Sequence, residues 1–271
     1  MDKKVVLITG ASTGIGNECA KFLSKKGFIV YGTSRKATYK DSVNSDGFFL
    51  IKMDVDDKDS IKKAIDFIYN KEKQIDVLIN NAGWGVSGAV EDISIDDAKK
   101  LFETNFFGVL NTCKIVLPIM RNQKSGCIIN ISSIGGVLGL PFQGLYSATK
   151  FAVEGLTEAL RMEVKSFGIN VVLIEPGDFK TSFTMRRKKM SSDENSIYYQ
   201  QVERAINVVE HDEQNGSNPE KIAVLVERII HKSNPKVRYR VGSFSQKFIA
   251  SLKGIASDRF IQWVLIKYYK L

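Results

Sequence analysis

Two histidines, three cysteines and five prolines are all that these 271 residues contain. Each scarcity argues against a class of chemistry. His211 and His231 stand apart from any carboxylate or cysteine pattern, which speaks against a histidine triad and against a metal site. Cys19, Cys113 and Cys127 are odd in number and lack metal or redox spacing. They read as reduced residues in or near a core, as expected of a cytoplasmic chain. No apolar run approaches the roughly 18 residues of a membrane span. Met1-Asp-Lys-Lys4 has the charge of a signal peptide's first region, but the apolar run after it is short and enters a glycine loop. It reads as a strand. With 44% hydrophobic and 25% charged residues, the composition suits one extended α/β domain with a sizeable core.

Acid is scarce at one end. The net charge is +9, and Lys236 to Leu271 holds eight basic residues against Asp258 alone. No nucleic-acid motif accompanies that excess, so a nucleic-acid partner is not expected. A lipid surface or an anionic substrate would account for it equally well.

Short apolar, β-branched runs alternate with helix-length amphipathic segments. The pattern predicts an α/β fold, a Rossmann-type doubly wound parallel sheet with helices on both faces. Strands are expected at Val5–Thr9, Ile29–Thr33, Phe48–Met53, Val77–Asn80, Cys127–Ser132, Val171–Glu175 and Val237–Val241. Helices are expected at Gly14–Lys26, Asp57–Asn70, Ile95–Met120, Gly144–Phe167 and Pro219–His231. One domain over 1–242 would include a substrate segment at 178–218, and residues 243–271 would add a basic amphipathic helical extension.

The first strand runs into Gly10-Ala-Ser12-Thr13-Gly14-Ile15-Gly16 and then a helix. Gly10 permits a tight turn, while Gly14 and Gly16 let backbone and helix N-terminus approach a pyrophosphate. Ser12, Thr13 and Ile15 belong to the same cofactor contact. An acid commonly follows the second strand of NAD-selective folds. Here Ser34-Arg35 stands instead, a hydroxyl and a guanidinium suited to a 2′-phosphate, which points to NADP(H).

Tyr146 and Lys150 are one helical turn apart, thirteen residues after Ser133. A phenol's ordinary pKa is about 10. A cation one turn away would lower it, making a proton donor for moderate pH, and a serine hydroxyl would add a hydrogen bond to the reacting oxygen. Ser132 is an alternative to Ser133, but the spacing to Tyr146 favours Ser133.

These motifs together resemble the short-chain dehydrogenase/reductases over about residues 4–241. Thr9-Gly-Ala-Ser-Thr-Gly14-Ile-Gly16, Asn80-Asn-Ala-Gly83, Asn105, Ser133, Tyr146-x-x-x-Lys150 and Pro176-Gly177 with Thr181 carry the likeness. The resemblance implies nicotinamide-dependent interconversion of an alcohol and a carbonyl. Tyr146 would be proton donor, Lys150 would lower its pKa and bind the nicotinamide ribose, Ser133 would polarise the substrate oxygen, and Asn105 would anchor a relay water. Asp54 and Val55 would hold the adenine edge, Asn81, Ala82 and Gly83 would back the ribose, and Pro176, Gly177 and Thr181 would bracket the carboxamide. Trp84 could line the substrate pocket or merely pack.

Selectivity is expected from 178–218 and the C-terminus. Met185-Arg-Arg-Lys-Lys-Met190 and Tyr198-Tyr199 suggest a mobile lid with apolar and cationic contacts. In 244–271 apolar residues recur at helical spacing among lysines and arginines, fitting a pocket cover, a dimer contact or a peripheral membrane contact. The tail resembles the hydroxysteroid-dehydrogenase-like branch, which implies a bulky hydrophobic ketone or alcohol: a steroid, a bile acid or a long-chain keto lipid such as ketosphinganine. The family often forms homo-oligomers. Two other readings stand beside the enzyme: a non-catalytic dinucleotide-binding regulatory protein, and a membrane-surface protein that uses its basic tail.

Overall fold

The first strand is apolar at every position, and both its faces are covered. In this computed structural model, which describes residues 3–39, 42–190 and 195–271, Val5 and Leu7 of β1 (Val5–Ile8) join one apolar layer and Val6 and Ile8 the other. That is the condition under which a parallel strand reads as a continuous apolar run rather than an alternating one.

The chain continues through α1 (Gly14–Lys25), β2 (Ile29–Ser34), β3 (Phe49–Lys52), α2 (Lys58–Glu72), β4 (Val77–Asn80) and β5 (Val86–Ser87). Next come α3 (Ile95–Phe102), α4 (Gly108–Gln123), β6 (Gly126–Ile131), α5 (Gly144–Glu163) and β7 (Ile169–Pro176). The last part comprises α6 (Phe183–Arg186), β8 (Lys188–Lys189), α7 (Tyr199–Gln214), α8 (Glu220–Ile230), β9 (Arg238–Val241), α9 (Phe244–Leu252) and α10 (Asp258–Tyr268).

Seven strands form one parallel sheet in the order β3-β2-β1-β4-β6-β7-β9. The order reverses at β1 and β4, so a crevice opens beyond their C-terminal ends, where ligands of such sheets bind. Helices α2, α4 and α5 cover one face through Ile61, Ile65, Val116, Met120, Val153 and Leu160. Helices α1 and α8 cover the other through Cys19, Leu23, Ile222 and Val226.

The expected Ile95–Met120 helix is interrupted. Residues Glu103–Phe107 form a π-helical turn between α3 and α4. That turn carries Asn105, which is buried and bonded to the Trp84 backbone. The expected Gly144–Phe167 helix stops at Glu163 and gives way to a short 3-10 turn that ends on Gly168 at φ +73°.

The short strands β5 and β8, which pair in parallel, and helices α6 and α7 were not among the expected elements. The tail folds as two helices, α9 and α10, capped by the Ser243 and Ser257 hydroxyls. With α7 and the turn after β6 these helices build a third apolar cluster from Ile134, Leu138, Val209, Ala250, Ile261 and Leu265. Residues 191–194 of the expected substrate segment lie outside the described residues.

Candidate active site

Thr13 begins helix α1 in extended conformation and makes no side-chain cap, so the helix's first N–H groups remain available to an anion. Gly10 and Gly14 adopt φ of +67° and +63°, a region costly for residues with a Cβ. A Cβ on Gly10 would lie 2.9 Å from Ala82 Cα, and one on Gly16 would lie 2.7 Å from the Gly10 carbonyl oxygen. Thr9 Oγ1 accepts from the backbone N–H of Asn81 and Ala82, both at 2.9 Å. The Asn81 amide donates back to the carbonyls of Thr9 and Gly10. The glycine loop and the Asn-Ala-Gly turn are thus one locked unit.

This unit is the floor of a cavity of about 1070 Å³. Gly10, Ser12, Thr13, Gly14 and Ile15 line it, with Ser34 and Arg35 at the end of β2 and Asp54 and Val55 after β3. Asn81, Ala82 and Gly83, then Pro176, Gly177 and Thr181, continue along it to Ser133, Tyr146 and Lys150. Every sequence-assigned residue faces this cavity except Gly16 and Asn105, which support it from behind. Lys36, next to Arg35, adds a second cation to this end of the cavity.

Ser133 and Tyr146 meet because β6 ends beside the first turn of α5. The Ser133 hydroxyl hydrogen-bonds the Tyr146 phenol, and its Oγ also accepts from Gly135 N at 3.0 Å. Ser132 also borders the cavity, but its hydroxyl is buried toward Glu154. Lys150 is buried, and its ammonium donates to the Ile131 carbonyl at 2.9 Å. Asn105 Oδ1 accepts from Trp84 N, while its Nδ2 donates to Trp84 O and Thr149 Oγ1. Its side chain therefore fixes the turn at Gly83–Trp84. Trp84 both lines the cavity and packs: its indole N–H donates to Thr104 Oγ1 at 3.2 Å.

In the protein alone, burial dominates the protonation of this pair. Burial pushes the Tyr146 phenol up to about 12, against the Ser133 hydrogen bond that lowers it. Burial also pulls the Lys150 ammonium down to about 8. Burial is the largest cause for both groups, so in the protein alone the phenol stands above its ordinary range.

The substrate end holds residues that motif reading missed. Asp178 follows the Pro-Gly pair, and burial with the nearby charges of Glu213 and Asp212 pushes its carboxyl up to about 7. Arg187 is buried and ion-paired to Glu213, which also accepts from Thr184 Oγ1 at 2.5 Å. Gln246, Ile249, Leu265, Tyr268 and Tyr269 bring α9 and α10 into the same wall. Tyr268 donates to Asp212, and Gln246 donates to Asp178. Only the position of Asp178 beside a known motif could have flagged any of these, since the others come from elements with no fixed spacing to it.

The basic run at 185–190 carries three ion pairs: Arg187 with Glu213, Lys188 with Asp97 at 2.8 Å and Lys189 with Glu210 at 3.0 Å. Tyr198 and Tyr199 begin α7 and lie outside the cavity lining. The tail's charge is also smaller than its composition suggests. Arg238 pairs with Glu154, Glu158 and Glu175, and Arg240 with Glu175.

The short chain dehydrogenase family model matches residues 4–192. The 3-ketodihydrosphingosine reductase of Bacteroides thetaiotaomicron is 43% identical over 272 residues, covering 100% of both chains. The probable short-chain type dehydrogenase/reductase VdlC of Helicobacter pylori is 36% identical over 246 residues, 91% of each. A crystal structure of a short-chain dehydrogenase from Streptomyces avermitilis superposes with TM-score 0.82 at 30% identity, covering 98% of both chains. Residue pattern, sheet order, cavity and relatives agree, and the chain belongs to the short-chain dehydrogenase/reductase family, as an oxidoreductase of keto and alcohol groups.

Proposed function

We propose that this protein reduces a long-chain 2-amino-3-ketone of the 3-ketodihydrosphingosine type, using NADPH. The observation that carries the reading is the division of the cavity. Ser133 and Tyr146 stand at its centre, Ile249, Leu265 and Phe183 give it apolar wall, and Asp178, Glu213 and Asp212 gather beside the phenol with Arg187 as the neighbouring cation. A plain ketone has no use for acids there. A ketone with an ammonium on the adjacent carbon does, and that is the group in the compound named for the relative that matches over its full length.

The residues present fit a dinucleotide. Gly10 and Gly16 leave no room for a Cβ, the N-terminus of α1 is uncapped, and Arg35 and Lys36 border the cavity as two cations that would suit a 2′-phosphate. ElxO, 29% identical with TM-score 0.70, has NADP bound in its structure. When bound, the nicotinamide would supply the hydride. Tyr146 delivers the proton to the ketone oxygen, Ser133 holds that oxygen by a second hydrogen bond, and Lys150 restores the charge balance behind the phenol. Asp178 positions the ammonium, which fixes the face of the carbonyl presented. Cytoplasmic residence and a homo-oligomer belong to the same reading.

The test is turnover of NADPH, followed by nicotinamide absorbance, with 3-ketodihydrosphingosine and with the same ketone lacking nitrogen. The amino ketone should exceed the other in kcat/KM by about 100-fold, because only it offers a cation to the acids beside the phenol. Equal rates would sink the amine reading and leave the reductase. Absence of turnover with either would sink both.

A further inference from the structure

Helices α9 and α10 have two different faces. One forms cavity wall through Gln246, Ile249, Leu265 and Tyr269. The other leaves large apolar groups in water: Phe244 is 80% exposed, Phe248 53% and Trp263 52%, and Ile255, in the turn between the helices, is 86%. Phe244 stacks on Phe248 and Phe260 on Trp263, each pair with centroids 6.1 Å apart. Isolated exposed apolar residues are ordinary. This many in one short stretch, with rings paired across helical turns, mark a surface that something covers.

Charge decides what covers it. Residues 243–271 carry Lys247, Lys253, Arg259, Lys267 and Lys270, with Asp258 as the sole acid. Asp258 is already paired to Lys253 at 2.7 Å. Lys267 holds its ammonium over the Trp263 ring, 4.2 Å from the centroid, where a long stem and an aromatic ring can share one boundary. A second copy seated on this face about a twofold axis would set these cations against themselves. An anionic lipid surface supplies the opposite charge, and aromatic rings among lysines and arginines are the groups that settle at headgroup depth. Among the described residues no helix is long and apolar enough to cross a membrane, so the contact would lie in the surface plane.

We propose that the outer face of α9 and α10 docks this protein on an anionic lipid bilayer, with the wall of the substrate cavity directly behind the docked face. The proposal stands on the exposed face and does not depend on which ketone is reduced.

Full-length protein is sedimented with vesicles of phosphatidylcholine alone and of phosphatidylcholine with phosphatidylglycerol. The expected result is binding to the anionic vesicles that weakens with added salt. The variant Phe244→Ser/Phe248→Ser/Trp263→Ser changes only exposed side chains outside the cavity lining and should lower the partition coefficient by about tenfold or more. Circular dichroism and thermal unfolding confirm that the variant is folded. As a second measurement, brominated acyl chains should quench tryptophan fluorescence in the wild type and much less in Trp263→Phe. The proposal is overturned if the wild type binds neither vesicle, or if the triple variant binds as well as the wild type. It is equally overturned if the face proves to hold two copies together, seen as a dimer that the triple variant breaks without any lipid binding.

Discussion

Gln246 and Asp178 hold each other by two hydrogen bonds across 68 positions of sequence. The Gln246 side-chain amide donates to the Asp178 carboxylate, and Asp178 N donates to Gln246 Oε1 at 3.1 Å. Through this pair the tail is joined to the loop after β7, beside Gly177 and within the field of Tyr146. The tail therefore forms a wall of the cavity, one of the three uses its sequence allowed.

Asp178 sets a pH dependence. Its carboxyl is raised from 3.8 to about 7 in the fold, so the folded state holds a proton that the unfolded chain has released. Stability is then greatest below the unfolded value and falls as pH rises from about 4 to about 7. Asp178→Asn should flatten that fall in thermal unfolding and be the more stable protein at pH 8. For an amino ketone, kcat/KM should rise through about pH 7 in the wild type as the carboxylate forms. That limb should vanish in Asp178→Asn; its persistence would assign it to another group.

Tyr146→Phe should lower kcat by about 1,000-fold or more, since the proton donor is lost. Ser133→Ala should cost less, about 100-fold, because one hydrogen bond to the oxygen goes while the donor stays. NADPH binding, measured by fluorescence titration, should be nearly unchanged in both. A Tyr146→Phe protein that still turns over would displace the tyrosine from its assigned role.

Lys150 illustrates a conflict between function and stability. Its ammonium is lowered from 10.5 to about 8 by burial. For such a base, the fold's preference for the neutral form costs stability as pH falls below the unfolded value, and the cost is complete below about pH 8. Lys150→Met should therefore unfold at a temperature equal to or above the wild type at pH 7, while losing turnover. A markedly lower midpoint would mean that the bond to the Ile131 carbonyl outweighs the buried charge.

Gly16→Ala places a methyl against the Gly10 carbonyl and the Asn81 side chain. The locked loop must shift, and NADPH affinity should fall by about tenfold or more, with circular dichroism unchanged. Retained affinity would show that the loop has room to adjust.

Arg35→Ala should weaken NADPH by about 10- to 100-fold and leave NADH nearly untouched, because a guanidinium recognises the extra phosphate as a charge-assisted pair. Equal losses for both cofactors would remove Arg35 as the discriminating group.

The candidate cofactor half of the site was legible because the chemistry it would serve is local. A tight turn, a close approach and a helix N-terminus require glycines within seven residues, and the Tyr-x-x-x-Lys pair requires one helical turn. The strands were legible for a similar reason, since burial on both faces leaves unbroken apolar runs. The π-turn at Glu103–Phe107 was not, because one extra residue in a helix leaves the apolar pattern on either side intact.

Short-range spacing and apolar runs were enough to read the fold class and to name the glycine loop and Ser133, Tyr146 and Lys150 as candidates. That Arg187 is a buried partner of Glu213 rather than a surface cation is visible only in the folded chain. It alone showed that Arg238 and Arg240 are neutralised by buried acids, and that α9 and α10 close the cavity. The physical reason is the same in each case. A charge or an apolar stripe takes its meaning from what lies opposite it, and here the opposite group comes from a distant stretch of chain that no local pattern specifies.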